Sequence, residues 1–195
     1  MALPSQLQDE LLKILQDHGH KKLDKPIQLA SGALSSDFVD GKEALAEWKN
    51  LHTACKAIVE TVTDAGHSFN AVGGLTMGAD ALAVGVAAVS DCRWFFVRKE
   101  PKQRGTRRLV EGAQIKNGDK VLLVDDVVTT GTSIFRALDA IDETGAETVA
   151  AVTLVDRSGL AAQGFEQRGI GYYPMTTYET LGIDPVTPVA ADAVS

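Results

Sequence analysis

At 195 residues, with 45% hydrophobic and 23% charged side chains, the chain has the size and composition of one globular domain and is neither disordered nor fibrous. Its formal net charge of −7 argues against nonspecific binding to nucleic acid or a membrane surface, which depends on clustered Lys and Arg; an anionic ligand must meet a local basic patch. Cys55 and Cys92 lack metal-ligand spacing and read as two reduced, buried thiols, and with no basic leader and no run approaching ~20 apolar residues the protein is expected to be soluble and cytoplasmic.

Leu7, Leu11, Leu12 and Leu15 recur at helical spacing, and "HGHKKLDKP" ends that short helix at Gly19 and Pro26. A longer helix is expected over 42–65, with Leu45, Trp48, Leu51, Cys55, Ile58, Val59 and Val62 on its inner side and Gly66 closing it. "NAVGGL" then reads as a strand, "ADALAVGVAAVS" as a small-residue helix, "WFFVRKEP" as a strand and "KVLLVDD" as a fully buried one. "TSIFRALDAIDETGA" follows as a helix with Ile134, Leu138 and Ile141 inward, and "TVAAVTLVDR" as a further strand. Continuous apolar strands alternating with helices indicate an α/β fold, a parallel twisted sheet with helices on both faces. One domain over 1–195 is expected, with a small N-terminal hood region over 1–40 and a flexible tail over 185–195. His18, His20, His52 and His67 fall on expected helices or their ends without a partner pattern, so none is assigned a catalytic role.

Two segments carry chemistry. In "KVLLVDDVVTTGTS" a buried strand runs into the adjacent carboxylates Asp125 and Asp126, and then into Thr129, Thr130, Gly131, Thr132 and Ser133 at the start of a helix. Ligands of parallel sheets bind at the carboxyl ends of the strands, where helix N-termini offer free N–H groups. Paired carboxylates are costly to bury, so this pair should face solvent or a ligand. Carboxylates accept hydrogen bonds from vicinal hydroxyls and the Thr-rich turn cradles a phosphate, which together suit a sugar phosphate. The second segment, "RKEPKQRGTRRLVEG", is a basic loop in an acidic chain, placed where it could fold over a ligand at that edge.

"VLLVDDVVTTGTS" lacks the endings of nucleoside-triphosphate and dinucleotide loops and resembles the phosphoribosyl pyrophosphate motif of the type I phosphoribosyltransferases. Three further segments are similar to the orotate phosphoribosyltransferases, so the resemblance spans roughly 29–157. These are "LASGALSSDFVD", with Phe38 in the aromatic position, "AVGGLTMGADALA", which contains Thr76 and Gly78 near the pyrophosphate, and the basic loop, with Arg98, Lys99 and Lys102 on the family's basic positions. "LVDR" places Arg157 where the family has an arginine near the orotate carboxylate. Arg104 stands where the family usually has His, Ala30 where many members have Lys, and Ala81 where Pro is common.

The resemblance implies transfer of the phosphoribosyl group from phosphoribosyl pyrophosphate to orotate. Asp125 and Asp126 would hold the ribose hydroxyls, residues 129–133 the 5-phosphate, and Lys102, Arg98, Lys99 and Arg104 the leaving pyrophosphate. Mg²⁺ is the implied cofactor, carried largely by substrate oxygens and water. A homodimer with shared sites is implied too, through a 98–112 loop mobile in the free protein. The alternatives are transfer to another base and a non-catalytic homologue that senses phosphoribosyl pyrophosphate. Retention of Lys102 favours an enzyme, and Arg157 with Phe38 favours orotate as its base.

Overall fold

The computed structural model describes residues 5–29, 32–101 and 108–187. Helix α1 (Gln6–Ile14) begins where Ser5 and Gln8 cap each other reciprocally. It runs through a π-helical turn at Leu15–Gly19 into a hairpin of β1 (His20–Gln28) and β2 (Leu34–Val39). The helix ends near where the sequence placed its end, but the hairpin was not expected. Strand β1 is exposed along most of its length and contains Pro26, so it carries no alternating apolar signal.

The single helix expected over 42–65 is two. The four-residue α2 (Gly41–Ala44) is capped by Asp40, whose carboxylate accepts from the N–H groups of Lys42 and Glu43, and α3 (Trp48–Asp64) follows after a break at 45–47. The break resets the helical phase. Leu45, Cys55, Ile58 and Val62 are buried as expected, but Trp48 is 63% exposed. Cys55 is buried, and burial pushes its thiol up to about 12, whereas Cys92 is only half-buried.

The main sheet contains β3 (Ala71–Leu75), β4 (Arg93–Val97), β5 (Val110–Gly112), β6 (Lys120–Val128), β7 (Glu147–Asp156) and β8 (Gly171–Thr177), in the order β5-β4-β3-β6-β7-β8. All neighbours pair in parallel except β5, which is antiparallel to β4. Strand β5 lies inside the segment expected to be an open loop over 98–112, and is too short to show a periodicity. The chain connects the strands through α4 (Asp80–Ser90), α5 (Thr132–Asp142) and α6 (Leu160–Glu166), with α7 (Tyr178–Leu181) after β8.

Successive residues of β6 face opposite layers, as strand geometry requires. Leu122 and Val124 join Leu11, Ile58, Leu82 and Val86 of α1, α3 and α4 in one core. Val121 and Leu123 join Ile134, Leu138, Ile141 and Phe165 of α5 and α6 in the other. This double coverage makes the strand apolar throughout. Val186, in the segment expected to be a loose tail, is buried and donates its N–H to the Arg157 carbonyl at 2.8 Å. Residues 188–195 lie outside the described residues.

Strand β3 owes its place to Gly73 and Gly74. A Cβ on Gly74 would lie 2.1 Å from the Val124 carbonyl oxygen and 2.6 Å from the Ala79 Cβ. Gly74→Ala should therefore cost about 3 kcal/mol of stability through overpacking, read as a lower urea midpoint. An unchanged midpoint would show that β3 can shift to make room.

Candidate active site

Strands β3 and β6 are neighbours, yet the chain leaves them in opposite directions: α4 carries it from β3 to β4, and α5 from β6 to β7 on the other side. Their helices cover opposite faces. A crevice must open beyond the carboxyl ends of this pair, because no connection crosses it. A cavity of about 720 Å³ lies there, lined by Thr76, Met77 and Gly78 after β3, Arg98 and Lys99 after β4, Asp125 and Asp126 on β6, and Ser133 on α5.

The carboxylate pair sits deeper than expected. Asp125 is buried, one carboxylate oxygen accepting from the Asp126 N–H at 3.0 Å while Oδ2 has no partner among the described residues. Burial first, and the charge of Asp126 second, push Asp125 up to about 7, against the opposing influence of Lys42 and Lys99. Gly78 makes the approach possible: a Cβ there would lie 2.4 Å from Asp126 Oδ1 and 2.6 Å from Asp125 Oδ1. Thr76 faces the same crevice and donates to Asp80 Oδ2 at 2.9 Å.

The turn after β6 is built around Gly131, whose φ of 83° no side chain adopts easily and whose space is taken by the Phe135 ring. Gly131 sits at the N-cap of α5, and the Thr130 and Thr132 hydroxyls lie 2.8 Å apart beside it. The hydroxyl-bearing Thr132 and Ser133 are exposed at the helix start, where the Thr132 N–H reaches only the Thr130 hydroxyl at 3.4 Å and the helix dipole favours an anion.

A second cavity of about 240 Å³ adjoins the first, lined by Leu29, Phe38, Asp40, Thr129 and Arg157. Lys42, Asp126 and Val127 line both cavities and form the wall between them. Arg157 is 2% exposed; its Nη1 donates to the Asp37 carbonyl at 3.1 Å and its Nη2 to the Ser35 hydroxyl at 3.3 Å, and Nε has no partner among the described residues. These bonds tie the hairpin to the end of β7.

The structure thus gathers Thr76, Gly78, Arg98, Lys99, Asp125, Asp126 and Ser133 at one cavity and Phe38, Thr129 and Arg157 at the next, with Thr130, Gly131 and Thr132 between Thr129 and Ser133 on the turn. Lys102, Arg104 and Ala30 lie outside the described residues. Sequence reasoning missed Lys42. Its Nζ is 3.0 Å from Asp126 Oδ2 and 3.4 Å from Asp40 Oδ1, and its only signal was the "FVDGKE" junction between strand and helix. Burial pulls Lys42 down, but the hydrogen bond and charge of Asp126, helped by Asp40, outweigh it and raise the group.

Two histidines have hydrogen-bond partners that the sequence did not show. His20 opens β1 and its Nε2 lies 2.9 Å from Asp37 Oδ1, while His67 Nε2 lies 2.8 Å from the Tyr173 hydroxyl. Both partners are distant in sequence, so no local spacing could reveal them. Lys22 also reaches Asp37, and although burial raises that acid, Lys22 and His20 together hold it below its ordinary value.

A carboxylate pair can accept from the hydroxyls of a diol and a helix start beside it can receive a phosphate, an arrangement that suits a phosphorylated sugar. The profile of the "Phosphoribosyl transferase domain" family matches residues 41–163, from α2 into α6, and the chain belongs to that family. It is 35% identical over 175 residues to the orotate phosphoribosyltransferase of Pyrococcus furiosus, across 90% of this chain and 95% of the relative. The orotate phosphoribosyltransferase of Aquifex aeolicus is also 35% identical, across 86% of this chain and 93% of its own. Among solved structures, the Mycobacterium tuberculosis orotate phosphoribosyltransferase in complex with 5-phospho-α-D-ribosyl 1-diphosphate matches with a TM-score of 0.75 at 28% identity, covering 91% of this chain and 99% of that one.

Proposed function

We propose that the protein transfers the phosphoribosyl group of phosphoribosyl pyrophosphate to orotate, yielding orotidine 5'-monophosphate and pyrophosphate. The observation that carries this is the shared wall. A site for a sugar phosphate and a smaller cavity with an aromatic side and a buried arginine meet at Asp126 and Lys42, where the anomeric carbon would have to lie. The orotate ring nitrogen forms the new bond to that carbon as the bond to the pyrophosphate oxygen breaks, with inversion; the electron pair leaves on pyrophosphate, and the nitrogen's proton passes to that leaving group or to solvent. Thr129 to Ser133 hold the 5-phosphate and Asp125 and Asp126 the ribose hydroxyls, so the sugar is fixed while charge moves. Arg98 and Lys99, joined by Lys102 and Arg104, stabilise the charge that accumulates on the leaving group.

Among the described residues no cluster of three or more His, Cys, Asp or Glu could hold a metal alone, yet the unpartnered Asp125 Oδ2 beside Asp126 fits a hydrated Mg²⁺ that arrives on its substrate. Bound there, the ion would neutralise phosphate charge. Among the described residues no helix is long and apolar enough to cross a membrane, which suits a cytoplasmic enzyme. A homodimer would cover the outer face of α3 and α4, where Trp48 and Val84 are 63% and 44% exposed.

The test is pyrophosphate release from phosphoribosyl pyrophosphate and Mg²⁺ with a panel of bases. Orotate alone should be turned over, and Arg157→Ala should raise its KM at least tenfold more than that of phosphoribosyl pyrophosphate. Turnover of uracil or hypoxanthine without orotate would overturn the assignment, and binding without turnover of any base would indicate a sensor.

A further inference from the structure

We propose that Lys42 determines base specificity: its ammonium rests on Asp126 in the free protein and turns to the carboxylate of the base once ribose hydroxyls occupy Asp126. The inference rests on the orotate assignment above. Among the described residues lining the smaller cavity the cations are Lys42 and Arg157. Two of the five N–H groups of Arg157 are held by Ser35 and the Asp37 carbonyl, which pins both terminal nitrogens to the hairpin, and Nε has no partner among the described residues. A carboxylate has two oxygens and, in a cavity lined by Phe38, needs more than one donor to offset its lost hydration. Lys42 can supply the rest.

Its backbone is fixed, because the Lys42 N–H donates to Asp40 Oδ1 at 2.9 Å, while its side chain is 52% exposed and stands in the wall between the cavities. The flexible stem can therefore swing without disturbing α2. The exchange is nearly balanced, since Asp126 trades an ammonium for a hydroxyl donor and the ammonium trades one carboxylate for another. The pyrophosphate side has less need of it, being lined already by Arg98 and Lys99.

The decisive measurement is calorimetric binding of orotidine 5'-monophosphate and uridine 5'-monophosphate, which differ by the base carboxylate alone, to wild type, Lys42→Ala, Lys42→Gln and Lys42→Arg. Lys42→Ala and Lys42→Gln should weaken the carboxylated nucleotide roughly tenfold or more and leave the other within about twofold, with Lys42→Arg restoring most of the difference. In steady state the KM for orotate should rise by a similar factor, with little change for phosphoribosyl pyrophosphate. Lys42→Gln keeps the first two methylenes of the stem, so it remains informative if Lys42→Ala loses its fold in thermal melts. Equal weakening of both nucleotides, no weakening, or an effect confined to phosphoribosyl pyrophosphate would overturn the proposal. A wild type that does not turn over orotate would instead remove the assignment beneath it.

Discussion

Replacing Asp125 by Asn should raise the melting temperature by several degrees at pH 8, change it little at pH 4, and weaken phosphoribosyl pyrophosphate binding roughly tenfold or more. Asp125 is buried with an unpartnered oxygen beside a second carboxylate, and its folded value of about 7 lies above the ordinary 3.8. Below the ordinary value the acid is protonated in both the folded and the unfolded chain, so it costs nothing. As the pH climbs from there through about 7 the unfolded chain ionises first, the folded state loses stability, and above that range the loss is complete. The amide keeps the acceptor for the Asp126 N–H but carries no charge, so its advantage should grow over that window and then level off. Melts from pH 4 to 9 would show this directly. A difference independent of pH would mean that the Asp125 charge is not what destabilises the fold, and unchanged affinity in calorimetry would remove it from the sugar site. Stability surrendered at one buried acid is expected where the acid serves a ligand.

Lys102→Ala should lower kcat about a hundredfold, the loss expected when one contact to transition-state charge is removed, while the KM for phosphoribosyl pyrophosphate changes much less. The lysine belongs to the same sequence motif as Arg98 and Lys99, which line the larger cavity, and itself lies outside the described residues. If loops act across a dimer, mixing Lys102→Ala with Asp125→Asn/Asp126→Asn and allowing subunits to exchange gives hybrids with one intact site. Activity should then rise above that of either parent. No recovery after exchange is confirmed by mass would rule out shared sites, and would leave the effect of Lys102 within its own subunit intact.

The Thr-rich turn, the acid pair and the central strands were legible in the sequence, because each depends on residues adjacent in the chain. A strand buried on both faces must be apolar throughout, as "KVLLV" is, and a helix start that meets an anion needs Gly131 and its hydroxyl neighbours in a fixed order. Phe38 and Arg157 were placed by family resemblance, and the fold brings them to one cavity from opposite ends of the chain. Only tertiary structure decided what depends on distant partners or on very short elements. Strand β5 exists because β4 offers it an edge, and the single helix over 42–65 is broken at 45–47. His20 finds Asp37 across the hairpin, and Arg157 donates from each terminal nitrogen to that hairpin. Lys42 and Asp126 are 84 residues apart in sequence, and their ion pair exists because the capped turn of α2 settles over the end of β6. Local patterns fix which segments are apolar and which turns are permitted, whereas the partner of each charge is set by burial, which is known only once the layers have packed.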